Sequence, residues 1–574
     1  MRPMKNRCCR KSGRYLLICC LLGFMTTSAA GNAKAYPWWC ATTVYQIYPR
    51  SFFDSSGDGI GDLQGIIEKL DYIRELGFET IWISPFFKSP QQDFGYDISD
   101  YYDIAPEYGD MATCERLIRA VHQRGMKVVF DLVMNHTSAE HPWFKDSALS
   151  AYSDRADWYV WRTGKGKNNR RPPNNWKSVL GGSAWIYHPQ RKQFYYAAFL
   201  PFQPDLNYYN PQVKEAMFDV VRFWLRKGVD GFRLDMFNAI YEDSSFQDNP
   251  FCLRLIPSEE NPDGFFQQYR YNLNHEKSFA FATELRAVVE EFHEPERFLV
   301  GEVFGPPATL KRFCDYQGRK GLHAVFLFQT LSVRFTAPAL RALVESFEKE
   351  FPDPFIPVYA FSNHDRKRSF SRLGESMEKA RLLALFQFTV RGIPFTYYGE
   401  ELGMPQSNIP MRAAKDPLAQ RFRWIPQFLI RWAGQSLNRD ECRTPMLWND
   451  QAHAGFCHPA CTPWLPVSDC YSEINVERQK ADEHSLLNFY KRILHLRRQI
   501  TALQTGRMEV ASHLCSTRIF AYYRSDESGK YLVILNMSNK SVKPAYSGGE
   551  LLLSTHASNG AFMQPWEGRL VCFH

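Results

Sequence analysis

The sequence predicts an α/β protein: a (β/α)8 TIM barrel with a subdomain inserted after strand three and an antiparallel β domain at the C-terminus. Three observations carry that expectation. Short apolar runs alternate with amphipathic helical stretches from Trp38 to Arg498. Four of the runs end in, or lead into, an acid: Val128–Asp131, Gly231–Asp235, Phe298–Glu302, and Val358–Phe361 running on to Asn363-His364-Asp365. A carboxylate at the tip of a buried strand is costly unless it is paired or working, so four of them suggest one shared mouth. Finally, no GxGxxG follows the first apolar run, which disfavours an open doubly wound sheet.

In chain order, residues 1–35 come first. A basic start (Arg2, Lys5, Arg7, Arg10, Lys11, Arg14), an apolar run from Tyr15 to Met25 and an Ala33-Lys34-Ala35 site follow the grammar of a signal peptide. The expectation is a secreted, extracellular protein. The alternative is a membrane-anchored one, through an uncleaved leader or acylation at Cys8, Cys9, Cys19 or Cys20. Next come strand candidates at Val44–Tyr48, Thr80–Ser84, Val128–Val133, Gly231–Asp235, Phe298–Glu302, Ala324–Phe328, Pro357–Phe361 and Phe395–Tyr398. Helical patterns lie between them, at Leu63–Leu76, Cys114–Arg124, Val213–Lys227, Phe279–Phe292, Leu340–Phe351 and Glu378–Val390. The third and fourth strands lie too far apart for a simple connection. The predicted division is therefore barrel at 36–135 and 211–504, subdomain at 136–210. A last helix at Ser485–Arg498 precedes β alternation, giving a C-terminal domain at 505–574.

Composition narrows the partners. The formal charge of +8 is produced largely by the leader, whose seven Lys and Arg face no acid; without them 62 basic residues balance 61 acidic ones. That balance gives no support for nucleic acid, or for an anionic membrane unless the leader is retained. Aromatics make up 15% of the chain, with 14 Trp and 29 Tyr, which serves a large core or the stacking of sugar rings. Of 14 Cys, ten lie beyond the leader, an even number that suits disulfides. Cys442, Cys457, Cys461 and Cys470 cluster, and Cys515 and Cys572 fall near the end. Zinc at the cluster, with His453 and His458, is disfavoured by the spacing.

Asp54-Ser55-Ser56-Gly57-Asp58-Gly59-Ile60-Gly61-Asp62 places oxygens at alternate positions. It has the layout of a structural Ca2+ loop, with Asp54, Ser56, Asp58, the Ile60 carbonyl and Asp62 as ligands. No organic cofactor motif is present, and a phosphate loop is excluded by the missing Gly-Lys-Ser/Thr. Asn135-His136-Thr137 fits a glycosylation sequon, with Asn536 and Asn539 as better-placed acceptors.

Together the strings DLVMNH, GFRLD, GEVFG and FSNHD resemble the four core regions of the α-amylase superfamily of glycoside hydrolases. Gln203-Pro204-Asp205-Leu206-Asn207 resembles a fifth region, of the oligo-1,6-glucosidase branch. Thr444-Pro445-Met446-Leu447-Trp448 and Pro463-Trp464-Leu465-Pro466-Val467 strengthen the α-glucosidase side. The resemblance implies Asp235 as nucleophile, Glu302 as general acid then base, and Asp365 as the group that holds substrate hydroxyls and stabilises the transition state. It implies that His136 and His364 bond sugar hydroxyls, that Tyr96 stacks on the ring, and that Asp97 and Arg439 close the pocket behind the terminal glucose. Arg233 would keep Asp235 ionised, and Glu302 would have a raised pKa. Met236, Arg366 and Ser56 depart from the branch's usual residues. The implied activity is exo-acting, retaining α-glucosidase action on short oligosaccharides. The alternatives are a sucrose isomerase or trehalose synthase-like transglucosylase, and a catalytically idle ectodomain like those of transporter heavy subunits.

Overall fold

The computed structural model describes residues 36–258, 260–425, 437–557 and 560–573; the leader and its cysteines lie outside them. Eight strands form one parallel sheet: β1 Val44–Ile47, β2 Thr80–Ile83, β3 Lys127–Val133, β4 Gly231–Asp235, β5 Phe298–Gly301, β6 Ala324–Val325, β7 Val358–Ala360 and β8 Ile393–Tyr397. Neighbours follow chain order from β1 to β6, while β8 joins β1 to β7. A parallel bridge from Phe326 to Val358 joins β6 to β7 and closes the ring. The expected barrel is therefore present.

Period-two alternation decides which side chains enter the barrel. Val44, Trp82, Val129, Val300, Val358 and Phe395 pack together inside it. Their neighbours Tyr45, Ile81 and Val128 pack outward in the larger cluster under the helices. Parallel register sets Val129 beside Gly231, Asp131 beside Arg233 and Val133 beside Asp235, so the polar residues of β3 and β4 share the inner face. Gly231 is required by close approach: a Cβ there would stand 2.2 Å from the Phe298 carbonyl oxygen of β5. Asp230, at the opposite strand end, is structural. It is fully buried, bonded to His122 (2.7 Å), Lys127 (3.0 Å) and the Val128 N–H (3.0 Å).

Several helices begin one to three residues earlier than apolar periodicity suggests. Met111–Gln123, Pro211–Arg226 and Met377–Thr389 start behind side-chain caps at Asp110, Asn210 and Ser376. Each cap satisfies an orphan N–H of the first turn, which an apolar pattern does not register.

The segment after β3 carries a three-stranded antiparallel sheet, Trp161–Arg162, Gln193–Tyr196 and Trp185–His188. Its own core contains Val160, Trp176, Trp185 and Tyr196. The bridge from His136 to Asp205 ties its end to the tip of β3. At the C-terminus, β9 Arg507–Val510, β10 Ile519–Asp526, β11 Gly529–Asn536, β12 Glu550–Ser554 and β13 Gly568–Phe573 form an antiparallel sheet in the order β9-β10-β11-β13-β12. Its inner face meets the helix Met377–Thr389, where Thr389 and Tyr522 share a 2.6 Å bond.

Two expectations are corrected. The ten cysteines among the described residues form no disulfide; Cys114, Cys314 and Cys442 are buried as small apolar groups, and burial pushes each thiol up to about 12. Asn536 is no glycosylation acceptor, because it is buried and its amide donates to Lys540 O (2.8 Å) and Gln564 O (2.7 Å). Asn135 is likewise buried, while Asn539 is exposed. Among the described residues no helix is long and apolar enough to cross a membrane.

Candidate active site

One guanidinium organises the mouth. Arg233, 1% exposed, donates from one nitrogen to Asp131 (2.8 Å) and Asp235 (2.7 Å), and from another it contacts Glu302 (2.6 Å). Asp235 ends β4 and Glu302 directly follows β5, so adjacent strands present them. Because the two carboxyls flank neighbouring nitrogens of a single planar group, they form a close pair rather than one wide enough to seat a water between them.

Met236 follows Asp235 at φ 46°, a left-handed conformation. That turn sends its N–H towards Glu302 (3.3 Å) and starts the short helix Phe237–Ala239. A non-glycine residue here costs on the order of 1–3 kcal/mol, as strained positions at functional sites commonly do.

The two carboxyls titrate apart. Burial, aided by the charges of Asp235 and Asp365, pushes Glu302 up to about 8 against the pull of Arg233. Burial also pushes Asp235 up to about 6, with Asp131 adding to the push and Arg233 opposing it. The expected rise at Glu302 is thus found. The expectation for Asp235 is refined: Arg233 limits an upward shift instead of setting a low value. At neutral pH Asp235 is charged and Glu302 protonated, the division of labour that a nucleophile and an acid need. We therefore expect kcat/KM to be bell-shaped, falling below about pH 6 as Asp235 is protonated and above about pH 8 as Glu302 ionises. An initial-rate profile from pH 4 to 10 measures this; a level line through pH 9.5 contradicts the assignment of Glu302.

Asp365 lies beyond β7. Burial would raise its pKa, yet His364, Arg439, Arg443 and Arg233 hold it well below the carboxylate range. Arg443 donates to Asp365 at 2.7 Å and to the His364 carbonyl at 2.7 Å, and Arg439 reaches Asp365 at 3.3 Å. Asp365 is the most solvent-facing of the three acids, with a side chain 28% exposed. It remains a fixed anion.

The histidines follow from their bonds. Gln46 donates to His364 Nδ1 (2.7 Å), so the proton of this neutral ring sits on Nε2, towards Tyr96 and Asp365. Burial depresses His364 to about 3. Tyr96 stacks on the His364 ring, 5.4 Å between centroids at 6°, and its hydroxyl donates to Asp131 (3.2 Å). Gln46, His364, Tyr96 and Asp131 thus form a relay ending on the partner of Arg233. His136 is held in the same way as His364, with a protein partner on each side of its ring. Its Nε2 faces the Tyr96 carbonyl (3.2 Å) and its Nδ1 the Asn135 amide (3.3 Å), so both ring nitrogens have protein partners and the ring positions Tyr96.

The expected closure of the pocket by Asp97 and Arg439 is corrected more sharply. Arg439 pairs with Asp93 (2.6 Å) and Asp416 (2.7 Å). Asp97 points away, into its own loop, where it accepts from Ser89 Oγ (3.0 Å), Gln92 N (3.0 Å) and Asp93 N (2.9 Å). Three N–H and O–H donors already reach both of its oxygens, so its carboxylate is satisfied without a guanidinium. Gln203, from the fifth recognised string, donates to the other oxygen of Asp93 (3.1 Å). Sequence reading missed Asp93, Asp416 and Arg443. Asp93 stands three residues before Tyr96 and Arg443 directly before the Thr444-Pro445-Met446 string, which is where a signal lay.

The Asp54–Asp62 loop is separate from this mouth. Asp54 accepts from Gly57 N (2.7 Å) and Gly59 N (2.8 Å), Asp58 from Ile60 N (2.8 Å), and Asp62 caps the helix Leu63–Leu76 through Gly65 N (2.6 Å). Among the described residues no group of three or more Asp, Glu, His or Cys side chains is gathered for a metal. The loop's donors are all oxygens, which suits a hard cation, but here the carboxylates serve the backbone.

Comparison with known proteins agrees with this geometry. The model of the alpha amylase catalytic domain matches residues 46–506. A protein named probable alpha-glucosidase from Rhizobium meliloti (strain 1021) is 39% identical over 88% of this chain and 90% of its own length. An oligo-1,6-glucosidase from Parageobacillus thermoglucosidasius is 36% identical over 93% of this chain and 98% of its own. Among solved structures, the alpha-glucosyl transfer enzyme XgtA superposes with a TM-score of 0.84 at 35% identity, covering 94% of this chain and all of that one. The trehalulose synthase MutB from Pseudomonas mesoacidophila MX-45 gives 0.83 at 31% identity with the same coverage. By sequence match, fold and the acids at its strand tips, the chain belongs to the α-amylase family of glycoside hydrolases.

Proposed function

We propose that the protein is a retaining, exo-acting α-glucosidase that removes terminal α-linked glucose from short oligosaccharides. The observation that carries this reading is the ion-pair cluster in which Arg439 joins Asp93, Asp416 and Asp365, which would serve as an end wall for a terminal sugar's hydroxyls. In this mechanism the Asp235 carboxylate attacks the anomeric carbon as Glu302 gives its proton to the departing oxygen, forming a glucosyl ester. Glu302, now charged, takes a proton from water, which attacks the ester and frees Asp235. Asp365, kept anionic by two arginines, stabilises the positive charge that develops on the ring. Side-by-side hydrolysis of maltose, isomaltose, sucrose and trehalose tests the reading, with glucose release from the non-reducing end expected.

A second reading, glucosyl transfer or isomerisation, is favoured by the close superposition on XgtA and MutB. It uses the same first step and replaces water by a sugar hydroxyl. Product analysis separates the two, since an isomer or a longer sugar without free glucose defeats the hydrolase reading.

Two accessory features belong to the proposal. The leader at 1–35 would export the protein. Calcium would bind the 54–62 loop through Asp54, Ser56, Asp58, Ile60 O and Asp62, turning carboxylate oxygens inward. The loop supports the helix Leu63–Leu76, so EDTA is expected to lower the Tm by several degrees and calcium to restore it. A Tm indifferent to both removes the ion.

A further inference from the structure

The near balance of charge over the chain conceals a local imbalance. Residues 158–204 contain eight Lys and Arg and no Asp or Glu. The ion pairs on either side, Lys145–Glu140 (2.7 Å) and Lys214–Glu284 (2.6 Å), stop short of this stretch, and among the described residues none of the eight is in an ion pair. Carboxylates outside the stretch act on two of the eight without forming an ion pair, Asp157 on Arg191 and Glu242 on Arg162, while Asp248 accepts from Asn175 N (2.9 Å).

Half of these charges sit on one tight turn. Lys165 and Arg171 pair through their backbones, with N···O distances of 2.8 and 3.1 Å, and the loop between them brings out Lys167 and Arg170. Residues 165–172 are all exposed. Asn168 and Asn169 occupy its tip at φ 62° and 52°, a conformation that Asn tolerates better than most residues, so two amides are displayed among four cations. Four like charges on one turn repel one another, so the arrangement weakens the turn unless something neutralises it.

We propose that the turn at 165–171 is a docking surface for an acidic polysaccharide. Guanidinium and ammonium groups would meet carboxylates or sulfates, and the amides between them would bond the hydroxyls of the same polymer. Two other polyanions fit less well. The turn carries no aromatic residue on which a nucleic-acid base could stack. It also has no apolar side chain besides Pro172 and Pro173 just beyond it with which to enter a lipid surface.

The test uses the full chain on immobilised polygalacturonate, with dextran as the neutral control. The wild type is expected to bind polygalacturonate at about 50 mM salt and to elute as salt screens the contact. A variant carrying Lys165→Ala, Lys167→Ala, Arg170→Ala and Arg171→Ala is expected to bind about 10²-fold more weakly, with glucoside hydrolysis unchanged. No retention of the wild type, or equal retention of the variant, overturns the proposal. So does binding to anionic phospholipid vesicles or duplex DNA at least as tight as to the polysaccharide. Unchanged hydrolysis in the variant also shows that it folds.

Discussion

Asp235→Asn lowers kcat on every glucoside by about 10⁴-fold or more, while the protein stays folded. The amide is nearly the same size as the carboxylate and can still accept from Arg233, which keeps its bonds to Asp131 and Glu302. Packing therefore barely changes, but the group no longer has the charge with which to attack the anomeric carbon. Removing one anion also relieves Glu302, whose high pKa rests partly on the charge of Asp235. The residual activity should accordingly lose its alkaline limb at lower pH than the wild type. Initial rates at several pH values, with circular dichroism to confirm the fold, provide the measurement. A variant that retains the wild-type rate would sink the nucleophile assignment and the mechanism with it.

Asp93→Asn and Arg439→Lys each reduce kcat/KM on disaccharides by about 10²-fold, whereas Asp97→Asn leaves it within a few-fold of wild type. The reason is geometric. Arg439 is held between Asp93 and Asp416 and leans on Asp365, so a shift of its planar head moves the stabilising anion as well as the end wall. Lysine cannot span three carboxylates with one ammonium group. Asp97 serves only its own loop, and burial together with the nearby Asp93 charge pushes it up to about 7 despite its donors. Its amide substitution is therefore expected to affect the melting temperature more than turnover. Kinetics of the three variants on maltose decide the matter. If Asp97→Asn is the damaging one and Asp93→Asn is silent, the proposed end wall of Asp93, Arg439 and Asp416 is wrong.

The strands and the carboxylates at their tips were legible because each rule involved is local. Alternation with a period of two places Asp131, Arg233 and Asp235 on one face, and barrel topology gathers the strand tips at one end. What stayed hidden depends on contacts between residues far apart in sequence. Arg439 and Asp93 are separated by 346 positions, and nothing local distinguishes Asp93 from Asp97 in one loop until donors are assigned. The protein partner of His136 was hidden for a similar reason: its ring faces a backbone carbonyl forty residues away. The cysteine expectation drew on their even number, which says nothing about whether pairs of sulfurs meet.

The ring of strands has one thin seam. Between β6 and β7 the closure rests on a single bridge, Phe326 to Val358, where other neighbours share ladders of two to five residues. That seam parts the chain's two halves of the chemistry: Asp235 and Glu302 stand on one side of it, Asp365 on the other. Heat that loosens it would carry the stabilising anion away from the pair before the rest of the barrel yields. Catalytic competence would then be the first property lost on warming, with the compact shape outlasting it.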